Sequence, residues 1–263
     1  MPPDQTNPAW VYELNLVPAQ FGPWARDFIA FVEPKHGDHV LDAGCGTGAV
    51  ARLVPPLVGP NGRTVGLDFD AEMLAVAAEL FTDVEWREGD LQSMPFDPSS
   101  FDLVICQQSL QFLPDRGAGL GEIRRVLRPV GHLALSVWTE LEKSPGHAIL
   151  FNALGELLGK DMSTPPPWSL ADESELVALL ERAGFVVTKS RVNARHSRFP
   201  SAKRFVEALM TGASKLTRQA LAEIPDPAKA AFIEDVANRL REYQTDEAIA
   251  LPMEGRMLLA EIG

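Results

Sequence analysis

The sequence predicts an α/β chain built on a doubly wound parallel sheet. Two observations carry this expectation. From Asp38 to Trp138, short runs rich in Val, Leu and Ile alternate with segments of helical period. At the head of that alternation stands Val40–Val50, VLDAGCGTGAV, with glycine at positions 44, 46 and 48. An apolar start, an acid and a glycine at every second position fit a buried strand turning sharply into a helix. Glycine lets the backbone turn and lie directly against a ligand, and the free N–H groups of the helix receive polar groups.

The elements follow in order. His39–Asp42 reads as the first strand and Ala49–Val58 as the helix after the glycine loop. Thr64–Asp68 is a second strand. Ala71–Phe81 is a helix, with Met73, Leu74, Ala77 and Ala78 at helical spacing. Val84–Glu88 is a short third strand. Phe101–Cys106 is a fourth, nearly all apolar, as a strand covered on both faces should be. Gly119–Leu127 is a helix ending before Pro129, and Leu133–Trp138 is a fifth strand.

Beyond Trp138 the rhythm changes. Ser144–Leu158 reads as helix, and three prolines break Ser163–Trp168. Asp172–Ala183 is a helix with Asp172 as its N-cap and Gly184 just past its end. Phe185–Val192 is a strand, Pro200–Gln244 is mostly helical, and Gly255–Ile262 is a closing strand. The helical material between the last two strands is expected to cap the carboxyl edge of the sheet.

The 263 residues are 46% hydrophobic, enough for one large domain or one domain with an insertion. The net charge of −12 argues against a nucleic-acid partner, because phosphate binding needs a basic surface. The two cysteines, Cys45 and Cys106, show neither metal-ligand spacing nor a disulfide framework. The N-terminal MPPDQTNPAW lacks a basic region followed by an apolar run, and no apolar run approaches ~20 residues. A cytoplasmic chain without a metal is therefore expected.

In an open parallel sheet, ligands sit beyond the carboxyl ends of the strands, where the strand order reverses. Polar residues fall at four of these ends: Asp42, Asp68, Asp90, and Gln107 with Gln108. One acid at a strand end is often only a turn residue. Four such ends beside one glycine loop indicate a site. Asp68 lies where an acid accepts hydrogen bonds from a ribose, which fits an adenosine-type cofactor. Asp90, with the Leu91 backbone beside it, suits an adenine amino group. Phe69 and Met73 suit the adenine faces, although core packing explains Met73 equally well. The glycines alone do not separate two cofactors, because GCGTGA also satisfies the dinucleotide fingerprint.

The surroundings of the loop do separate them. VLDAGCGTG, VGLDFDAEMLAVA, EGDLQSMPFDPSSFDLVICQQSLQFLPD and EIRRVLRPVGHLALSVW occur in order over Val40–Trp138. This series resembles the class I S-adenosylmethionine-dependent methyltransferases. It is most similar to the methyltransferase type 11 family, which holds the ubiquinone and menaquinone biosynthesis C-methyltransferases. WVYELNLVPAQFGPWA resembles the N-terminal helix that covers the cofactor in such enzymes. Val130 stands where the family usually has glycine, in the turn before the fifth strand and away from the cofactor residues.

The resemblance implies a Rossmann-like, seven-stranded sheet, mostly parallel with an antiparallel last strand and a helical cap insertion. It implies one methyltransferase domain over 1–263. Within it, 1–35 would form N-terminal lid helices and 36–140 the cofactor-binding core. Segments 141–170 and 195–250 would be cap insertions completing an acceptor pocket. S-adenosylmethionine would be the cofactor and S-adenosylhomocysteine its product. Gly44, Cys45, Gly46 and Thr47 would lie along its methionine part, and Asp42 would orient the loop and reach the amino group. Asp68 would take the ribose hydroxyls, Asp90 and Leu91 the adenine, and the Gln107 backbone the sulfonium end. The carboxylates and carbonyls in this set suit a ligand carrying a sulfonium and an ammonium.

The expected reaction is in-line transfer of the methyl group to a small-molecule oxygen, nitrogen or carbon nucleophile, helped by positioning and exclusion of water. His147, in SPGHAIL after the fifth strand, is the candidate general base, with a surface or capping role as the competing explanation. His36, His39 and His132 fall at the wrong strand ends, and His196 is expected after the sixth strand. Tyr12, Gln108, Gln111, Phe112, Trp138 and Trp168 are candidate acceptor-binding residues, each of which also fits core packing. A monomer or homodimer is expected. Two other readings remain. A nicotinamide-dependent oxidoreductase lacks an evident hydride-transfer constellation, since neither Tyr12 nor Tyr243 lies in a YxxxK pattern. A non-methylating S-adenosylmethionine-binding protein would share the fold.

Overall fold

The computed structural model describes residues 6–212 and 224–263. Its seven-stranded sheet comprises β1 (His39–Ala43), β2 (Arg63–Asp68), β3 (Glu85–Glu88), β4 (Phe101–Gln107), β5 (Leu127–Trp138), β6 (Phe185–Phe199) and β7 (Ile249–Ile262). The order is β3-β2-β1-β4-β5-β7-β6. β1 pairs in parallel with β2 and β4, β2 with β3, and β4 with β5, whereas β7 runs antiparallel to β5. The order reverses at β1, which lies between β2 and β4, so the expected switch point falls beside the glycine loop.

Two compact units divide the chain. The first, the sheet unit, consists of Trp24–Thr139, Pro166–Asn193 and Gly255–Gly263. Its strands alternate inward faces, as a pleated backbone requires. Leu41, Val104, Leu133 and Leu258 share one apolar cluster with Leu120, Ile123, Leu176 and Leu180 of the helices Arg116–Val126 and Glu173–Arg182. Val40, Ile105, Ala134 and Met257 share the opposite cluster with Ala25, Phe28 and Phe31 of the helix Gly22–Val32. Asp172 caps its helix as expected, its Oδ1 accepting from the Glu175 N–H at 2.9 Å. Thus Trp24–Val32 and Trp168 belong to the sheet unit.

The helical unit consists of Met1–Pro23, Glu140–Pro165 and Ala194–Glu254. Its core joins Leu150 and Leu154 of Pro145–Leu158 to Phe205 and Val206 of Ala202–Gly212 and to Phe232 and Val236 of Asp226–Arg239. Part of the expected helical stretch Pro200–Gln244, at 213–223, lies outside the described residues, as do residues 1–5 of the expected lid. At the N-terminus, the Asn7 side chain caps Pro8–Val11 by accepting from Ala9 N–H at 2.8 Å. The following turns, Tyr12–Phe21, widen around Pro18, which has no N–H to donate.

Four expectations need correction. The closing strand begins at Ile249, ahead of the expected Gly255. The helix Ala49–Val58 is two short pieces, a 3-10 turn at Ala51–Leu53 and a single helical turn at Pro55–Val58. Pro55 and Pro56 have no N–H for the preceding turn and force the restart. The sixth strand extends to Phe199, so His196 lies within it and not after it. The fifth strand begins at Leu127, and Val130, expected in a turn, is 84% exposed inside it.

Candidate functional site

The glycine loop hangs between β1 and β2. The N–H groups of Gly44 and Cys45 both donate to the Leu67 carbonyl, at 2.8 and 3.0 Å. Gly44 (φ +78°) and Gly46 (φ +54°) hold left-handed backbone that L side chains rarely adopt. Two carboxylates pin the turn. Asp42 Oδ2 accepts from Ala51 N–H at 2.9 Å, and Asp68 Oδ2 accepts from Gly46 N–H at 2.7 Å. Asp68 Oδ1 accepts from Asp70 N–H at 2.9 Å. The sequence thus places Asp42 at the start of the loop and Asp68 on the next strand so that each fixes a different backbone amide.

Two further residues, not anticipated from sequence, shape this loop. Ser109, just after β4, donates its hydroxyl to the Gly44 carbonyl at 2.9 Å. Trp86, on β3, lies across β2 against the loop. A Cβ at Gly48 or at Gly66 would come within 2.4 Å of the indole. Trp86 is itself held by its Nε1–H, which donates to the Phe81 carbonyl at 2.9 Å. Gly66, a glycine inside a strand, is the sequence signal for such a close approach; Ser109 has no comparable signal. In contrast to these crowded positions, a Cβ at Gly46 would meet nothing within 4 Å. The turn is closed on two sides and open over its middle glycine.

Its electrostatics favour a cation. Burial pushes the Asp42 carboxyl up to about 7, with the Asp68 charge adding to the rise and the Ala51 amide opposing it. Burial likewise raises Asp68 against the pull of the Asp70 and Gly46 amides. The Cys45 thiol, buried beside both acids, is raised well above its ordinary value. Two desolvated carboxylates flanking one turn gain most from a positively charged ligand.

The other expected residues are distributed as follows. Thr47 is buried within the loop. Phe69 is 72% exposed next to Asp68, which excludes core packing for it, and Met73 is half-buried. Asp90 is exposed, its Oδ1 accepting from Gln92 N–H at 2.8 Å, while the Leu91 side chain joins the core. Gln107 ends β4, and its carbonyl faces the Ser109 hydroxyl at 3.3 Å. Gln108 and Gln111 are buried in the turn that follows, and Phe112 is half exposed. Trp138 and Trp168 are buried and stacked, with ring centroids 6.4 Å apart, and Trp24 meets Trp138 edge-on.

Tyr12 and His147 belong to the helical unit. Tyr12 stacks on Phe21 at 5.1 Å. His147 is buried edge-on against Phe205, and burial lowers its pKa to about 3. An imidazole that weakly basic does not suit a general base at neutral pH, contrary to expectation.

Comparison with known proteins decides the cofactor. A profile described as a methyltransferase domain matches residues 41–135. The demethylmenaquinone methyltransferase of Staphylococcus carnosus is 30% identical over 178 residues, covering 62% of this chain and 73% of that protein. The chain belongs to the S-adenosylmethionine-dependent methyltransferase family. A 2-phytyl-1,4-beta-naphthoquinone methyltransferase of Arabidopsis thaliana is 37% identical over 120 residues, 43% of this methyltransferase. The match spans 46% of that plant protein, just under half its length. A solved S-adenosylmethionine-dependent methyltransferase from Aquifex aeolicus shares the fold, with a TM-score of 0.52 at 22% identity over 70% of this chain and 91% of that one. The methyltransferase's loop fits its cofactor on the structure's own terms. Buried carboxylates suit a sulfonium and an ammonium, and the open side of Gly46 leaves room for them. The nicotinamide reading of GCGTGA is set aside.

Proposed function

We propose that this methyltransferase methylates a small aromatic acceptor of the quinol type. The observation that carries the reading is the Staphylococcus relative, a demethylmenaquinone methyltransferase matched over 73% of its length. A Lactobacillus johnsonii protein of the same name, 30% identical over 78% of its length, supports it. When bound, the cofactor supplies a methyl group activated by a positive sulfur. The chain's own residues bind and orient. Gly44, Cys45, Gly46 and Thr47 line the methionine part, with Asp42 fixing the loop and drawing the ammonium. Asp68 holds the ribose hydroxyls. Asp90 and the Leu91 backbone meet the adenine, and Phe69 and Met73 cover its faces. The Gln107 backbone lies at the sulfonium end.

Catalysis then rests on alignment and on exclusion of competing water, and the electron-rich quinol that takes the methyl group releases its proton to solvent after the transfer. No proton transfer through His147 is required. The net charge of −12 speaks against a nucleic-acid partner. Among the described residues, no helix is long and apolar enough to cross a membrane.

The test is formation of S-adenosylhomocysteine from S-adenosylmethionine and a reduced naphthoquinone, with catechol, an amino sugar and a fatty acid as comparison acceptors. Turnover confined to the quinol supports the reading. Turnover only with another class overturns the acceptor assignment. In parallel, Asp68→Ala is expected to weaken cofactor binding about a hundredfold or more, because it removes a charged acceptor from a buried site. Unchanged affinity would displace the site from this loop.

A further inference from the structure

The turn after β4 holds a chain of polar side chains that the cofactor site does not use. Gln108 adopts a left-handed backbone, φ +56°, although it is not glycine. Such a conformation is costly for a side-chain-bearing residue and persists where surroundings over-determine it. Here they do. The Gln108 N–H donates to the Ser136 carbonyl at 2.8 Å, and its side-chain Nε2 lies 3.4 Å from the Ser136 hydroxyl. Gln111 Nε2 in turn donates to Gln108 Oε1 at 2.9 Å. The three side chains form one directed series, Gln111 to Gln108 to Ser136, all buried.

The Gln111 backbone is held equally firmly. Its carbonyl accepts from Arg116 Nη2 at 3.3 Å, and Arg116 also donates to Ser169 Oγ at 2.7 Å, whose one hydrogen is shared between the Pro166 carbonyl at 2.9 Å and the Gln111 carbonyl at 3.2 Å. The series has one open end. Gln111 Oε1, in a residue only 3% exposed, has no hydrogen-bond partner among the described residues. Buried acceptors are almost always paired, and leaving one unpaired costs more than a typical hydrogen bond returns. What completes this series must donate a hydrogen, because the free atom is a carbonyl oxygen. It must also be enclosed with Gln111, away from bulk water. The position is the carboxyl end of β4, next to the strand-order reversal, where an open parallel sheet receives its ligands.

We propose that Gln111 is the residue that reads a hydroxyl group of the methyl acceptor, its side-chain carbonyl accepting that hydrogen while Gln108 and Ser136 fix the amide's orientation. The inference rests on the quinol reading for the identity of the acceptor, though not for the geometry. It makes hydroxylated aromatics the preferred substrates, and their ethers poor ones. A site built to pair a hydroxyl rejects the analogue that lacks it, since the buried carbonyl is then left alone.

The experiment uses the full chain with 1,4-naphthalenediol and 1,4-dimethoxynaphthalene as probes, titrated in the presence of S-adenosylhomocysteine so that no methyl transfer occurs. Wild type is expected to bind the diol at least about tenfold more tightly than the diether. Gln111→Met is expected to erase that preference, with S-adenosylhomocysteine affinity within about twofold of wild type as the control for folding. Preference retained by Gln111→Met overturns the proposal, and a bound water at Gln111 would give that result. Failure of the diol to bind wild type overturns it as well. Diol binding without methyl transfer in the turnover assay overturns only the quinol reading. Should Gln111→Met not fold, Gln108→Met keeps Gln111 but removes the carbonyl that orients it. A diol-to-diether ratio reduced about threefold or more is then expected, and an unchanged ratio is against the proposal.

Discussion

Ser109 closes directly over Gly44: the serine hydroxyl donates to the glycine carbonyl at 2.9 Å, and a methyl group at Gly44 would clash with that hydroxyl. The contact ties the turn after β4 to the loop after β1. Ser109→Ala is expected to weaken S-adenosylmethionine binding about three- to tenfold while the fold persists, since one neutral hydrogen bond is lost. Gly44→Ala combines a clash with a disfavoured φ and should destabilise the protein by roughly 2 kcal/mol or more. Calorimetric titration and urea unfolding read the two effects; equal cofactor affinity in Ser109→Ala would show that the tie is idle.

The Gly66–Trp86 contact yields a steric prediction free of backbone strain. Gly66 has no positive φ, and the nearest atoms to a side chain there belong to the Trp86 indole and the Cys45 sulfur. Gly66→Ala is expected to cost about 1–3 kcal/mol. Trp86→Leu opens the space, so the double variant should be more stable than the sum of the two single losses implies. Urea unfolding of the four proteins measures that coupling, and strictly additive losses would place the strain elsewhere.

Asp42 links cofactor binding to pH. Its folded pKa is about 7 against an ordinary 3.8, so the free fold favours the protonated form. That contribution to stability is fully present below the ordinary value and is lost as pH rises through about 7. A cationic ligand favours the carboxylate instead. Affinity for S-adenosylmethionine should therefore climb as pH rises toward about 7 and then level, with a proton released on binding below that point. S-adenosylhomocysteine, which lacks the sulfonium charge, should respond less. Calorimetry in buffers of different ionisation enthalpy counts the proton, and Asp42→Asn should abolish its release.

His147 gives the opposite slope. Its pKa falls from 6.5 to about 3 on folding, so between those values only the unfolded chain takes up the proton. Its contribution to stability is present above about 6.5 and is lost as pH falls toward about 3. His147→Phe should remove this part of the acid sensitivity and leave the pH dependence of turnover near neutrality unmoved. Unfolding curves at about pH 5 and pH 7.5 for both proteins test the first point. A shift in the turnover profile would restore His147 to the chemistry.

The central strands and the cofactor loop were legible because their signals are local. Buried parallel strands read as apolar runs, Asp172 announces a cap, and the glycines of the loop sit beside Asp42 and Asp68. The extents of β6 and β7 were not, because much of β6 is exposed and carries Lys189, Arg191, Arg195 and Arg198 in place of an apolar pattern. The break after the loop was visible in Pro55–Pro56 and outweighed there by the expectation of a helix. Burial of His147 was also visible, since it shares a helical face with Leu150 and Leu154. Partnerships between distant residues were not legible. Nothing near Ser109 in sequence announces Gly44, and the open amide of Gln111 depends on Gln108 taking a conformation that its residue type disfavours.

The position of β7 bears on how the chain acquires its structure during synthesis. β6 is made well before β7, yet its place in the sheet is beside β7 and not beside β5. Residues 185–199 therefore emerge from the ribosome with no strand to join, and wait through the helical segments for residues 249–262. Only then does the strand slot between its two neighbours and finish the sheet. Completion of the sheet is thus a late, long-range event in the order of the chain.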